Sequence, residues 1–275
     1  MQYNNNLSVL PFYRTIEEQG HRRSYAYGDI YPLYTKLNTM LPFQIITGTS
    51  AATISAANLY KADGTSAGSI IAQLTAGGLM KKSFSAYGYD VIVYPSAAVY
   101  SGLNPSEGQY YMTLTMSNGT VYYSDVFTVV GDVSPYLKIQ WYDREDLVMD
   151  GERIVYDLGS SSYFKNVLYL QTEVGKPDYE FEEEGEKRDG LFYAEKMISE
   201  KTYKFQFLAS EALCDVMRFI RMSDNIDITD KYGRTYHCDT FLMTPKWEAQ
   251  GNLASVECEF QTNTVAKRIG RAYIV

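Results

Sequence analysis

Along most of this chain, aromatic and aliphatic side chains alternate with polar ones at the two-residue period of strands that bury one face. Tyr203, Phe205 and Phe207 alternate with Lys204 and Gln206, and Leu137, Ile139 and Trp141 alternate with Lys138 and Gln140. Tyr110, Met112, Leu114 and Met116 do the same against Tyr111, Thr113 and Thr115. Val256, Cys258 and Phe260 face one way while Glu257 and Glu259 face the other. Further strands are expected at 53–60, 69–74, 89–94, 121–130, 225–229, 235–244 and 252–261. One stretch changes period. After Ser210, a suitable N-cap, Leu213, Val216, Met217 and Ile220 fall at i, i+3, i+4 and i+7 and predict a helix over 211–222. Glu211 stands at its positive end, and Arg218 and Arg221 at its negative end. The expected fold class is mainly β.

Turn residues divide these elements. Asn118-Gly119 predicts a type I′ hairpin between the strand ending at Met116 and the one starting at Val121. Ala62-Asp63-Gly64 is a second turn, and Gly131-Asp132-Val133-Ser134-Pro135 marks a boundary. Residues 1–40 lack periodicity and are rich in Pro and aromatics, which predicts an extended arm. Its Phe12, Tyr13, Tyr25, Tyr27, Tyr31 and Tyr34 are candidate interface residues, because such an arm must dock on its own body or on a neighbour. Residues 41–130 are expected to form an immunoglobulin-like β-sandwich. Residues 131–275 are expected to form a second β-sandwich or barrel-like domain carrying the helix. The acidic run 174–190 has few apolar residues and is expected to be a long loop that orders on a partner. A chain of 275 residues accommodates two cores, with a single large β domain as the alternative.

Composition narrows the function classes. Hydrophobic residues at 45% and charged residues at 21% describe a globular rather than a disordered chain. A net charge of −8 argues against phosphate-backbone binding, so nucleic acid is not an expected partner. Cys214, Cys238 and Cys258 are an odd set inside expected elements, which suits buried free thiols in a reducing cytoplasm. The first residues form no leader pattern, and no apolar run reaches membrane-spanning length, so membrane insertion is not expected. Tyrosine, at 26 copies against 12 Phe and 2 Trp, suits strands, wet interfaces and sugar-binding surfaces alike.

Candidate chemistry is sparse. Gly64-Thr65-Ser66-Ala67-Gly68 spells the nucleophile-elbow motif, which works only between a buried strand and a helix of an α/β sheet. His237 is the only histidine downstream of it. His237 and Cys238 are neighbours on one strand and point to opposite faces, and no C-x-x-C pair completes a zinc site. Glu180, Glu182, Glu183, Glu184 and Glu186 lack the rigid two-carboxylate placement of a glycosidase. Asp224, Asn225, Asp227 and Asp230 lack EF-hand spacing. Both clusters are expected to be solvated surface, with no catalytic centre, cofactor or metal.

Two stretches resemble proteins of tailed phages and prophages of gut anaerobes. One is Gly108-Gln109-Tyr110-Tyr111 running into Val121-Tyr122-Tyr123-Ser124-Asp125-Val126-Phe127. The other runs from Phe181-Glu182-Glu183-Glu184-Gly185-Glu186 through the Asp215 to Arg221 segment to Glu259-Phe260-Gln261-Thr262. The strand–helix–strands order of the C-terminal module is also similar to the unit of tail-tube and distal-tail ring proteins. The resemblance implies a virion structural protein, a tail or baseplate ring component of distal-tail or adaptor kind. It would partner with itself and with other tail or baseplate proteins and would carry no active site. A glycan- or protein-binding β-sandwich module is the alternative, and a serine hydrolase using Ser66 a remote one.

Overall fold

The computed structural model describes residues 8–18, 33–48, 53–84, 88–94, 105–142, 164–247, 253–262 and 266–269. The chain is mainly β. Its first half packs two sheets face to face. The larger contains β1 (Phe12–Tyr13), β2 (Leu33–Lys36), β4 (Ile54–Lys61), β5 (Ser66–Ser69), β8 (Gly108–Met116), β9 (Val121–Ser124) and β10 (Phe127–Val130). The smaller is β3 (Phe43–Gly48), β6 (Met80–Phe84) and β7 (Tyr89–Tyr94) in the order β3-β7-β6. Inner faces meet through Phe12 and Phe43, whose ring centroids are 4.9 Å apart, with Leu59, Met112, Leu114, Ile45 and Ile92 fully buried around them. The smaller sheet is buried on its second face too, where Ile46, Tyr89, Val91 and Val93 cluster with Phe164 from the second half of the chain.

Of the segment expected to be an arm, the described residues 8–18 and 33–40 belong to this sandwich. Phe12 and Tyr13 pair antiparallel with Ser124 and Tyr123 of β9, and β2 runs parallel to β10 from Leu33↔Phe127 to Lys36↔Val130. Phe12 and Tyr13, which follow Pro11, are buried on the chain's own body. The 69–74 segment also differs from expectation: β5 ends at Ser69 and α1 (Ile71–Ala76) follows. A short apolar run is ambiguous between strand and helix, and Leu74 is buried as a helical residue.

The second half is an eight-stranded sheet with the path β12-β11-β15-β16-β17-β14-β13, where β18 also pairs with β14. Its strands are β11 (Leu137–Tyr142), β12 (Asn166–Leu170), β13 (Asp178–Arg188), β14 (Leu191–Ser210), β15 (Asn225–Thr229), β16 (Thr235–Trp247), β17 (Leu253–Thr262) and β18 (Ala266–Ile269). The alternation is realised as expected: Leu137, Ile139 and Trp141 are buried on β11, and Val256, Cys258 and Phe260 on β17. Helix α2 (Glu211–Met217) lies on this face. Ser210 caps it, its hydroxyl accepting from the Leu213 amide at 3.4 Å. The helix is shorter than 211–222. Regular α geometry stops at Met217 and a 3-10 turn takes Ile220–Met222, which keeps Ile220 buried while the chain bends into β15. The buried residues of both halves form one continuous cluster from Val9 to Phe260.

Three hairpins close in the same way. Ala62-Asp63-Gly64, Ser117-Asn118-Gly119 and Lys231-Tyr232-Gly233 are three-residue loops whose glycines have φ of 87°, 85° and 77°. In each, the glycine amide donates to a carbonyl three residues earlier: Lys61, Met116 and Asp230. This is a type I turn followed by a left-handed glycine. Asn118 has no positive φ among the described residues, so the type I′ expectation for Asn118-Gly119 is corrected to this wider loop.

Candidate functional site

The acidic run expected to be a loop is a strand. β13 pairs with β14 over eleven rows, from Asp178↔Thr202 to Arg188↔Leu191, with a bulge at Glu184/Gly185. Asp189 and Gly190 turn the chain with φ of 50° and 81°, the two positive angles of a type I′ turn. The carboxylates hid the strand, because neither face of β13 is buried and the one-sided apolar alternation is therefore missing. The available signal was Asp189-Gly190 between Tyr179, Phe181 and Met197, Ile198.

The result is a projecting ribbon. β14 pairs with β17 over Thr202↔Gln261 to Ser210↔Leu253, inside the body of the sheet. Among the described residues its other half pairs only with β13 and β18. Eleven residues of β13 at about 3.3 Å each give the ribbon a length of about 35 Å. Side-chain parity carries the core face of β14 outward. Tyr203 stacks on Phe260 at 5.3 Å and tilts on Tyr236 at 4.9 Å. Two residues further, Lys201 faces Tyr179, its ammonium 5.7 Å from the ring. The next row on that face holds Phe181 and Ser199, and the one after it Glu183 and Met197. Phe260 is fully buried, but Tyr179 is 57% and Phe181 65% exposed, so an apolar face runs out of the core into water.

The other face is charged. Glu180 stands opposite Glu200, Glu182 opposite Ile198, and Glu184 opposite Lys196, whose ammonium is 3.6 Å away. Lys204 at the base lies 3.3 Å from Glu259 and 3.7 Å from Asp178. Its hydrogen bond to Glu259 holds its pKa above the ordinary lysine value. Like charges directly opposite each other, as at Glu180 and Glu200, destabilise a strand pair. The ribbon thus carries Tyr179 and Phe181 on one face and Glu180, Glu182 and Glu184 on the other.

The other candidates fall elsewhere. Ser66 opens β5 on an antiparallel hairpin, not on a strand-to-helix turn, and His237 is on β16 of the other sheet. His237 pairs across strands with Asp227, its Nδ1 against Asp227 Oδ1. Asp230 is not solvated surface, contrary to expectation. It is buried and accepts from the amides of Tyr232 and Arg234, from Arg234 Nε at 2.7 Å and from the Tyr236 hydroxyl. Burial alone would raise its pKa, but these bonds and the Arg234 charge outweigh it and hold the carboxyl below its ordinary value. The three cysteines are free thiols. Burial pushes Cys214 up to about 11 and Cys238 up to about 12, and raises Cys258 as well, so none is a ready nucleophile. Among the described residues no group of three His, Cys, Asp or Glu is placed to hold a metal, and no helix is long and apolar enough to cross a membrane. Of the six expected interface residues, Phe12 and Tyr13 are buried in the sandwich, and Tyr34 is half-buried with its ring 4.3 Å from Tyr136. Tyr25, Tyr27 and Tyr31 lie outside the described residues.

No protein-family model matches the chain, and neither the curated proteins nor the solved structures contain a match.

Proposed function

We propose that this chain is a structural component of a tailed-phage virion, a tail or baseplate ring subunit of distal-tail or adaptor kind that assembles through subunit–subunit contacts. The β13–β14 ribbon carries this reading. Fixing a residue's backbone costs about 1–2 kcal/mol. The outer ribbon returns little of that cost by burial within one chain, since all of β13 with a described side chain is exposed. A neighbouring subunit that covers Tyr179 and Phe181 supplies the missing burial at about 25 cal/mol per Å² of apolar surface. The resemblance of 181–186, the α2 segment and the end of β17 to virion proteins falls on this same ribbon-and-helix unit.

The sandwich offers less to the alternative of a glycan-binding module. Tyr13, Tyr89, Tyr94, Tyr110, Tyr111 and Tyr122 are all buried, so many of its tyrosines serve as core rather than as a sugar platform.

Mass photometry of the full-length protein over a concentration series, followed by negative-stain imaging, tests the assignment. The expected result is a discrete higher oligomer with a central hole. A monomer at every concentration overturns self-assembly and moves the weight to the binding module.

A further inference from the structure

We draw no further inference here: the strongest candidate, the surface patch where Tyr232 and Arg234 of the β15–β16 hairpin meet Tyr203 and Tyr236 at the base of the ribbon, carries none, because Arg234 and the neighbouring Lys231 are already paired with Asp230 and Glu173 and nothing in the structure shows what covers the exposed ring.

Discussion

The β8–β9 and β13–β14 hairpins are built from the same local parts and live in opposite environments. Each has a glycine turn with a positive φ, at Gly119 or Gly190, and each alternates aromatic with polar residues. In β8–β9 the alternation is spent inside: Tyr110, Met112, Leu114, Met116 and Tyr122 are all buried between the two sheets. In β13–β14 the equivalent rings, Tyr179 and Phe181, stand in water above an acidic reverse face. Hairpin formation is thus a local matter of turn chemistry and cross-strand pairing, whereas what the hairpin is for depends on whether a second layer covers it. The first has its cover within the chain. The second lacks one among the described residues, and a partner is the cover that the proposed function assigns.

Truncation on each hairpin should give the largest divergence. Leu114→Ala removes a fully buried side chain from the sandwich core and should cost about 2–5 kcal/mol in chemical denaturation. Phe181→Ala removes a side chain that is 65% exposed and should shift the unfolding free energy by no more than about 0.5 kcal/mol. Its effect should appear in the concentration dependence of assembly instead. A Phe181→Ala loss comparable with that of Leu114→Ala would mean that the ribbon is covered within the monomer.

The difference between these hairpins also explains what was legible in the sequence. Periodicity is written by burial on one side, so β11 and β17 could be read from Trp141 and Phe260, and β8 keeps its apolar alternation at Met112 and Leu114 although Tyr111 and Thr113 are buried too. The capped start of α2 was legible because Ser210 and the Val216, Met217, Ile220 face are local signals. β13 was illegible to the same method, because Glu180, Glu182 and Glu184 alternate with Tyr179, Phe181 and Glu183 and no face is buried to impose a pattern. The Asp189-Gly190 pair carried the information, whereas Asn118-Gly119 takes a longer loop. The docking of Phe12 and Tyr13 against β9 joins positions more than a hundred residues apart, and no window of the sequence contains both.

A third hairpin, β15–β16, sharpens the comparison, because its loop is tied down by charge rather than by apolar cover. Asp230 holds the amides of Tyr232 and Arg234 and the Arg234 guanidinium. Asp230→Asn should cost about 1–3 kcal/mol near neutral pH, as a buried charge-assisted network loses its anion. The sign of the pH dependence follows from the lowered carboxyl pKa of the folded state. The stabilisation is fully present above the unfolded value of about 3.9 and is lost as pH falls through the lower folded value. Urea midpoints of wild type and Asp230→Asn should therefore differ at pH 7 and begin to converge only as pH falls below about 4. A gap that persists unchanged in acid would show that the carboxylate charge is not what anchors the loop.

The smallest effect isolates the turns themselves. Gly119 and Gly190 have φ of 85° and 81°, and a Cβ built on either meets nothing within 4 Å. Ala at each position therefore suffers backbone strain without a clash, about 1–2 kcal/mol for a left-handed residue. The local cost is the same, but its destination differs. β8 is paired with β4, β9 and β10 and shares the sandwich core, so Gly119→Ala should lower the global unfolding free energy by that amount. Among the described residues the ribbon end at Gly190 is paired only along its own length, so Gly190→Ala should leave the global midpoint in place. Its cost should appear as faster amide exchange confined to 178–201, because a segment with little buried surface opens by itself. Hydrogen exchange on the two variants separates these outcomes. Equal global destabilisation by both would mean that the ribbon unfolds cooperatively with the body, and that β14 carries the coupling through its unbroken run from Leu191 to Ser210.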